Sequence, residues 1–359
     1  PMRQLLEIAD DARRAKYTVA KLGTNDKNRA ILAIADALVA HADEIIAANK
    51  IDIENGRAAG LNDGLIDRLM LDEKRIAGIA EGCRQVAALP DPVGEVLWMH
   101  KRPNGLNIGQ KRVPMGVIGI IYEARPNVTV DAAVLCFKAG SACILRGGKE
   151  AFRSSMCLTG IMRRALASCG LPENAINLVE DTARETATQM MKLNGYLDVL
   201  IPRGGAGLIQ SVVMNATVPV IETGTGNCHV YVDASADLEM AKNILVNAKC
   251  QRPSVCNAAE VCLVDRKIAG EFLPKLKARL VDGRAAAGQP PVELRLGLSA
   301  DGEPLHNAVH TITPYSVADA GEGSGYPRYR LEQGYQTTAS TRLRCTMAAP
   351  PPEDCALHV

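Results

Sequence analysis

Ile31, Ile34, Ala35, Leu38, Ala42, Ile45 and Ile46 return at steps of three and four residues, with Asp36, His41 and Asp43 between them. That is the period of an amphipathic helix, and the N-terminal third of the chain reads as helical. A second helical stretch spans Asp72 to Ala88 and stops before Pro90 and Pro92, since proline cannot continue a helix. Beyond Val113 the pattern changes to short apolar runs alternating with helical stretches. The runs Val117 to Tyr122, Ala142 to Arg146, Ala175 to Val179, Val199 to Ile201 and Pro219 to Glu222 predict strands. Between them Val128 to Ala139, Phe152 to Ser168, Arg184 to Leu193 and Ala206 to Asn215 predict helices. Gly140 and Gly170 stand where helix C-termini favour a left-handed residue.

Strand and helix alternating at this rhythm give right-handed βαβ units and a mostly parallel sheet. The fold class is therefore α/β, a doubly wound parallel sheet whose ligands bind beyond the carboxyl ends of the strands. A further unit follows, with strand Cys228 to Val232, helix Leu238 to Lys249, a loop and strand Val261 to Val264. Residues Asp282 to Val359 are rich in glycine, proline, alanine and arginine, and neither period survives there for more than a few residues. Three segments are expected: a cofactor domain with N-terminal helices over 1–225, a catalytic domain over 226–281, and a divergent, poorly packed or disordered tail over 282–359.

Length supports more than one core, because 359 residues exceed what one core usually holds. Lysine plus arginine number 41 against 40 acidic residues. That balance argues against nucleic acid or an anionic membrane as partner, and 3% aromatic content argues against base-stacking surfaces. No apolar run reaches eighteen residues, and Pro1 to Lys21 lacks the apolar stretch of a signal peptide. A start at Pro1 suggests a processed or clipped N-terminus. The 11 cysteines form no C-x-x-C pair, so neither a zinc site nor a disulfide framework is indicated. No metal is expected, and a reducing cytoplasm is the expected location.

No G-x-G-x-x-G follows the first strand, so the usual dinucleotide fingerprint is absent. Two other turns can take its place. Arg146-Gly147-Gly148-Lys149 and Arg203-Gly204-Gly205-Ala206-Gly207 each leave a strand and enter a helix. Glycine lets the backbone approach a phosphate, and the helix N-terminus offers N–H groups to it. Either turn taken singly is as well read as an ordinary β-to-α connection. Arg146 and Lys149 carry the positive charge that a 2′-phosphate requires, which favours NADPH over NADH; a solvated basic turn is the plainer alternative.

Cys256 lies in the polar loop Gln251-Arg252-Pro253-Ser254-Val255-Cys256-Asn257, with Arg252 supplying a cation of the kind that favours thiolates. Cys136, Cys143, Cys157 and Cys262 sit in apolar patterns and read as small core residues. Glu222 ends a strand before Thr223-Gly224-Thr225-Gly226-Asn227, a placement suited to a site or to a turn acceptor. The Cys228-His229 pair is too little for a metal, and Trp98, in the connector from Pro90 to Val113, says little.

In their order along the chain these segments resemble one family. Val113-Pro114-Met115-Gly116-Val117-Ile118-Gly119-Ile120-Ile121-Tyr122-Glu123-Ala124-Arg125-Pro126-Asn127-Val128-Thr129 is similar to the glutamate-5-semialdehyde dehydrogenases of the aldehyde dehydrogenase superfamily. So are Ile144 to Gly148, Leu200 to Gly205, Val220 to Asp233 and Arg252 to Ala258, within a resemblance running from Arg3 to Leu280. It implies the aldehyde dehydrogenase fold, with Cys256 the catalytic cysteine, Glu222 the glutamate that in relatives activates water, and Gly204 and Gly205 the diphosphate turn. Arg146 matches a lysine near the adenosine ribose, and Lys149 falls where NAD-using relatives carry glutamate. The superfamily's oxyanion asparagine aligns with Ala124, which leaves Asn127 as a candidate donor. Arg125 and Arg252 are candidates for substrate binding.

The resemblance implies NADPH-dependent reduction of L-glutamyl 5-phosphate in proline biosynthesis. It also implies assembly as a homo-oligomer and association with glutamate 5-kinase. After Leu280 only Ala339-Ser340-Thr341-Arg342 resembles the family, and the tail has the look of a GC-rich gene read out of frame. Two other readings stand beside this one: a dehydrogenase of another small aldehyde, and an inactive relative that only binds nucleotide or a partner.

Overall fold

The computed structural model describes residues 4–123, 125–223, 228–253, 255–295 and 342–348. The chain divides into two units, 1–224 and 225–359.

The first unit opens with helices α1 (Leu5–Val19), α2 (Thr24–Ala40), α3 (Ala42–Ala58), α4 (Asp63–Leu69) and α5 (Glu73–Ala88). The repeat from Ile31 to Ile46 belongs to two helices rather than one. His41, at φ −109° and ψ 26°, is the single residue between α2 and α3. The break is invisible in the pattern because one residue barely disturbs the apolar spacing. Asp72 caps α5 by accepting the Arg75 N–H at 2.7 Å. The connector then holds a hairpin that the sequence did not announce, strands β1 (Val96–Lys101) and β2 (Asn107–Lys111) paired antiparallel.

Next come β3 (Val117–Tyr122), α6 (Pro126–Lys138), β4 (Ala142–Arg146), α7 (Phe152–Ser168), β5 (Ile176–Leu178), α8 (Arg184–Met190), β6 (Val199–Arg203) and α9 (Ala206–Asn215). The strands form one parallel sheet in the order β5-β4-β3-β6. Every residue of β3 is buried, as a parallel strand covered on both faces requires. Ile118, Ile120 and Tyr122 pack in one core with α2, α5, α6 and α7. Val117 and Ile121 face a second core with α1 and α9. Gly140 and Gly170 sit at φ +72° and +73°, closing α6 and α7. Pro219 to Glu222 is not a strand but a single bridge from Val220 to Leu200. The Leu200 N–H reaches Pro219 O at 2.8 Å and the Ile221 N–H reaches Leu200 O at 3.0 Å. Pro219 has no N–H with which to continue a ladder.

The second unit contains β7 (Cys228–Val232), α10 (Leu238–Cys250), β8 (Ala259–Asp265), α11 (Arg266–Lys277), α12 (Gly283–Ala286), β9 (Glu293–Arg295) and β10 (Arg342–Ala348). Its sheet runs β7-β8-β10-β9, with all pairs parallel. Leu245, Phe272, Leu276 and Leu280 bury its helices against it. Asp237 and Asp265 cap α10 and α11. The segment after Asp282, expected to lack regular structure, thus supplies a helical turn and two strands, one of them between β8 and β9. Short elements of this kind escape periodicity, which needs a longer window. The rest of that segment, 296–341 and 349–359, lies outside the described residues.

Candidate functional site

Strands β3, β4 and β6 lie side by side and parallel, so their carboxyl ends share one edge. Glu123, Arg146 and Arg203 leave from that edge. The chain runs outward from β3 to β4 and β5, then returns to place β6 on the other side of β3. The reversal between β3 and β6 is the topological switch point where doubly wound sheets bind ligands.

At that point the Gly205 N–H donates to Glu123 Oε1 at 2.8 Å. Gly205 is the residue before α9, so a carboxylate sits at a helix N-terminus, where N–H groups and the helix dipole favour an anion. Gly204 makes room for it: a Cβ there would lie 2.8 Å from both the carboxyl carbon and Oε1 of Glu123. Gly147 plays the same part on β4, where a Cβ would meet the Tyr122 ring at 3.1 Å. Tyr122 is buried, and its hydroxyl is within 2.8 Å of Thr129 Oγ1. Burial pushes the Tyr122 phenol up to about 12.

Arg146 turns toward the loop after β5, giving Nη2 to Thr182 O at 2.8 Å and to Ala183 O at 3.3 Å. Its Nε is buried and has no partner among the described residues. Burial lowers the Arg146 pKa from its ordinary value. Lys149 is exposed at the first position of a 3₁₀ turn that leads from Gly148 into α7. The amino end of α7 is fixed by Asp52 from α3, which accepts the Arg153 and Ser154 N–H groups at 3.1 and 2.7 Å and the Ser154 hydroxyl at 2.7 Å.

Arg125 precedes α6, and its N–H donates to Glu123 O at 2.7 Å. Asn127 lies in the first turn of α6, where its amide donates to Asp131 Oδ2 at 3.1 Å. Glu222 is exposed, in the extended segment beyond the Val220 bridge. Residues 124, 224–227 and 254 fall outside the described residues.

In the second unit Cys256 occupies the turn from Val255 to Ala258, closed by the Ala258 N–H on Val255 O at 3.2 Å. The turn leads directly into β8. Arg252, earlier in the same loop, is exposed. Of the nine cysteines whose side chains are described, Cys256 alone is fully exposed. Cys136, Cys143 and Cys262 are buried and Cys157 is half-buried. Burial pushes the Cys83 thiol up to about 12, and burial together with Glu44 pushes Cys157 up to about 11. Contact with Cys136, then burial, raises Cys143. Such thiols are poor nucleophiles. Among the described residues no group of three His, Cys, Asp or Glu side chains could hold a metal, and no helix is long and apolar enough to cross a membrane.

Glu123 is a site residue that no motif in the sequence singles out. Its position is still a signal, since Glu123 follows an apolar strand just as Glu222 follows an apolar run, and the same argument applies to both. Thr182 and Ala183 escaped as well. They act through main-chain carbonyls, which no side-chain motif reveals.

Residues 3–294 match the aldehyde dehydrogenase family. The chain is 59% identical over 275 residues to a gamma-glutamyl phosphate reductase of Carboxydothermus hydrogenoformans, covering 77% of this chain and 66% of that one. It is 61% identical over 265 residues to the gamma-glutamyl phosphate reductase of Heliobacterium modesticaldum, covering 74% of this chain and 64% of the relative. The chain therefore spans about two thirds of the length of these curated relatives. The crystal structure of gamma-glutamyl phosphate reductase from Thermotoga maritima superposes with a TM-score of 0.78 at 40% identity, covering 97% of this chain and 77% of that one. The chain belongs to the aldehyde dehydrogenase family, in the branch of the gamma-glutamyl phosphate reductases.

Proposed function

We propose that this protein reduces L-glutamyl 5-phosphate to L-glutamate 5-semialdehyde and phosphate with NADPH, a step of proline biosynthesis. The observation that carries the proposal is Cys256, the one fully exposed cysteine among the described residues, in a chain 59% identical over 275 residues to a gamma-glutamyl phosphate reductase.

The residues at the switch point fit a dinucleotide. Gly204 and Gly205 frame a seat in which an anion, the Glu123 carboxylate, already accepts a main-chain N–H. The cofactor diphosphate would be held at that turn in place of the carboxylate. Arg146, whose buried Nε has no partner among the described residues, and the exposed Lys149 would hold the adenosine ribose and its 2′-phosphate. When bound, NADPH supplies the hydride.

Cys256 Sγ attacks the γ-carbonyl carbon of the acyl phosphate. The carbon–oxygen bond to phosphate breaks, and a thioester remains on the enzyme. The main-chain N–H groups of Cys256 and Asn257, in the turn before β8, donate to the developing oxyanion, each worth about 3 kcal/mol. After reduction the carbon–sulfur bond breaks, and Cys256 recovers its thiolate as the aldehyde leaves. Reduction requires no water, so Glu222 serves in positioning and not as a hydrolytic base. Arg125 and Arg252 are candidate cations for the substrate's α-carboxylate and its phosphate. The expected partners are further copies of this chain and glutamate 5-kinase, and the expected compartment is the cytoplasm.

The test is spectrophotometric, with semialdehyde, NADP and inorganic phosphate supplied to the full chain. Reduction of NADP that requires phosphate, and that disappears in Cys256→Ser with cofactor affinity kept within a few-fold, is the expected result. Oxidation independent of phosphate would make the protein a dehydrogenase of simple aldehydes instead. Substantial turnover by the serine variant would remove Cys256 as the nucleophile.

A further inference from the structure

A second thiol stands beside Cys256 that the proposed reaction does not use. Cys228, the first residue of β7, donates its Sγ–H to the main-chain carbonyl of Cys256 at 3.5 Å. A carbonyl oxygen lies about 2.4 Å from its own Cα, so the Cys228 sulfur is within about 6 Å of the Cys256 Cα. A rotation about χ1 of Cys256 and a small shift of its turn bring the two sulfurs to bonding distance.

The surroundings permit that shift. Cys256 belongs to no regular element, and its turn is held by the Ala258-to-Val255 hydrogen bond. Cys228 pairs with Ala259 at the very start of the β7–β8 ladder, and the register slips immediately after it, between Cys228 and His229. Both residues therefore lie at a loose end of the sheet. They also differ in access: Cys256 is exposed and Cys228 half-buried. An exposed thiol meets a small oxidant first, and a shielded neighbour then resolves the product.

We infer that Cys228 and Cys256 are a peroxide-sensitive pair, in which oxidation of Cys256 is captured by Cys228 as a reversible disulfide. The Cys256 thiolate attacks one oxygen of hydrogen peroxide and the O–O bond breaks. Sulfur is oxidised to the sulfenic acid and the peroxide is reduced to hydroxide, which becomes water on protonation. The Cys228 thiolate then attacks the Cys256 sulfur. The S–S bond forms, the S–O bond breaks, and hydroxide leaves to take up the proton that Cys228 released. A dithiol reductant reverses the pairing by exchange. The capture prevents the irreversible step to sulfinic acid at an exposed cysteine.

The inference rests on the geometry of the two thiols and not on the proposed substrate, and its readout is mass, not turnover. Reduced full-length protein is treated with hydrogen peroxide, alkylated, and digested without reduction. Cys250, Cys256 and Cys262 share a tryptic peptide because trypsin spares the Arg252-Pro253 bond, so the linked peptide is read by tandem mass spectrometry. A Cys228–Cys256 link that dithiothreitol reverses is expected, with an intact mass lower by two hydrogens. In Cys228→Ser, or in Cys228→Ala if the serine variant does not fold, Cys256 should gain two oxygens that dithiothreitol does not remove. Sulfinic acid at Cys256 of the unmodified protein without the link would overturn the inference, and so would pairing of Cys256 with any other cysteine. Absence of phosphate-dependent turnover in the reduced protein, with the link still forming on oxidation, would count against the proposed reaction and leave this inference standing.

Discussion

Gly204→Ala tests the switch-point seat by filling it. The backbone of Gly204 lies outside the left-handed region, so alanine brings no conformational strain there, and the effect is steric. The added methyl would stand 2.8 Å from the carboxyl carbon and Oε1 of Glu123 and 2.8 Å from Leu208 Cδ2, against the about 3.5–4.0 Å at which carbon atoms are in contact. Glu123 is exposed and the threatened atoms are the far end of its side chain, so the carboxylate swings away and gives up the Gly205 N–H. A hydrogen bond to a charged group is worth about 1.5–3 kcal/mol. Solvent replaces much of it at this exposed position, leaving about 1 kcal/mol of lost stability, or a fall in Tm of about 2–4 °C. On the proposed placement of the cofactor, ligand binding should suffer more, because the methyl would crowd the turn that receives the diphosphate. ADP and NADPH, titrated by calorimetry, should each lose about tenfold or more in Kd, equivalent to about 1.4 kcal/mol. Gly147→Ala is the contrasting case. Its methyl meets the ring of Tyr122, which is buried and tied to Thr129, so the strain has nowhere to go and costs about 1–3 kcal/mol of stability. An ADP Kd in Gly204→Ala within twofold of the unmodified protein would refute the placement of the diphosphate at this turn.

Asp52→Ala should destabilise the protein by about 3 kcal/mol in urea unfolding, since it removes the carboxylate that fixes the amino end of α7, orphaning the buried Ser154 N–H and hydroxyl and releasing the Arg153 N–H; a loss below about 1 kcal/mol would show that water replaces the carboxylate. Lys149→Glu should shift the kcat/KM preference from NADPH toward NADH, and an unchanged ratio would remove Lys149 from the 2′-phosphate site. Lys27, almost fully buried, pairs with Asp91 at 2.7 Å. Burial pushes the Asp91 carboxyl up, but hydrogen bonds from Lys27, Thr24 and Val93 outweigh it and hold its pKa below the usual value. A carboxyl depressed in the folded state contributes its stability above the unfolded pKa of about 3.9, and that contribution is lost as pH falls through the still lower folded value. Asp91→Asn should therefore flatten the acid limb of a stability–pH curve measured below about pH 4, and an unaltered limb would mean that the pair contributes nothing to acid stability.

How much of this molecule could be read from its sequence depended on what surrounds each segment. Strand Val117–Tyr122 was legible to the residue because it is buried on both faces, and an unbroken apolar run bounded by Gly116 and Glu123 admits few other readings. Helices Phe152–Ser168 and Ala206–Asn215 were legible to the residue because each begins just after a glycine-bearing turn. Segment Pro219 to Glu222 misled because it has the composition of a strand, whereas a ladder needs N–H groups that Pro219 cannot give. At the site, glycines and cations were visible as letters. The Glu123-to-Gly205 contact was not, because it joins residues 82 apart in the chain.

The hairpin of Val96–Lys101 and Asn107–Lys111 shows the limit from the other side. Val96, Leu97, Trp98 and Met99 are consecutive and apolar, yet they are 42–61% exposed. Apolar periodicity reports which side chains a chain buries against itself. A strand whose two faces are both open has no inside, so its residues carry no alternation to detect, and the run reads as a connector. What holds the hairpin is local. Its ladder runs from Val96–Lys111 to Lys101–Asn107, and Gly105 takes φ +88° in a turn closed by the Arg102 N–H on Leu106 O at 2.7 Å. The Trp98 indole donates to Gln110 Oε1 across the strands at 2.9 Å. An isolated two-stranded ribbon is marginal in water, and these contacts are of the size that tips the balance. The Asn104-Gly105 dipeptide was the detectable signal, a turn pair between two runs of strand-forming residues, and it would have placed the hairpin without any appeal to burial.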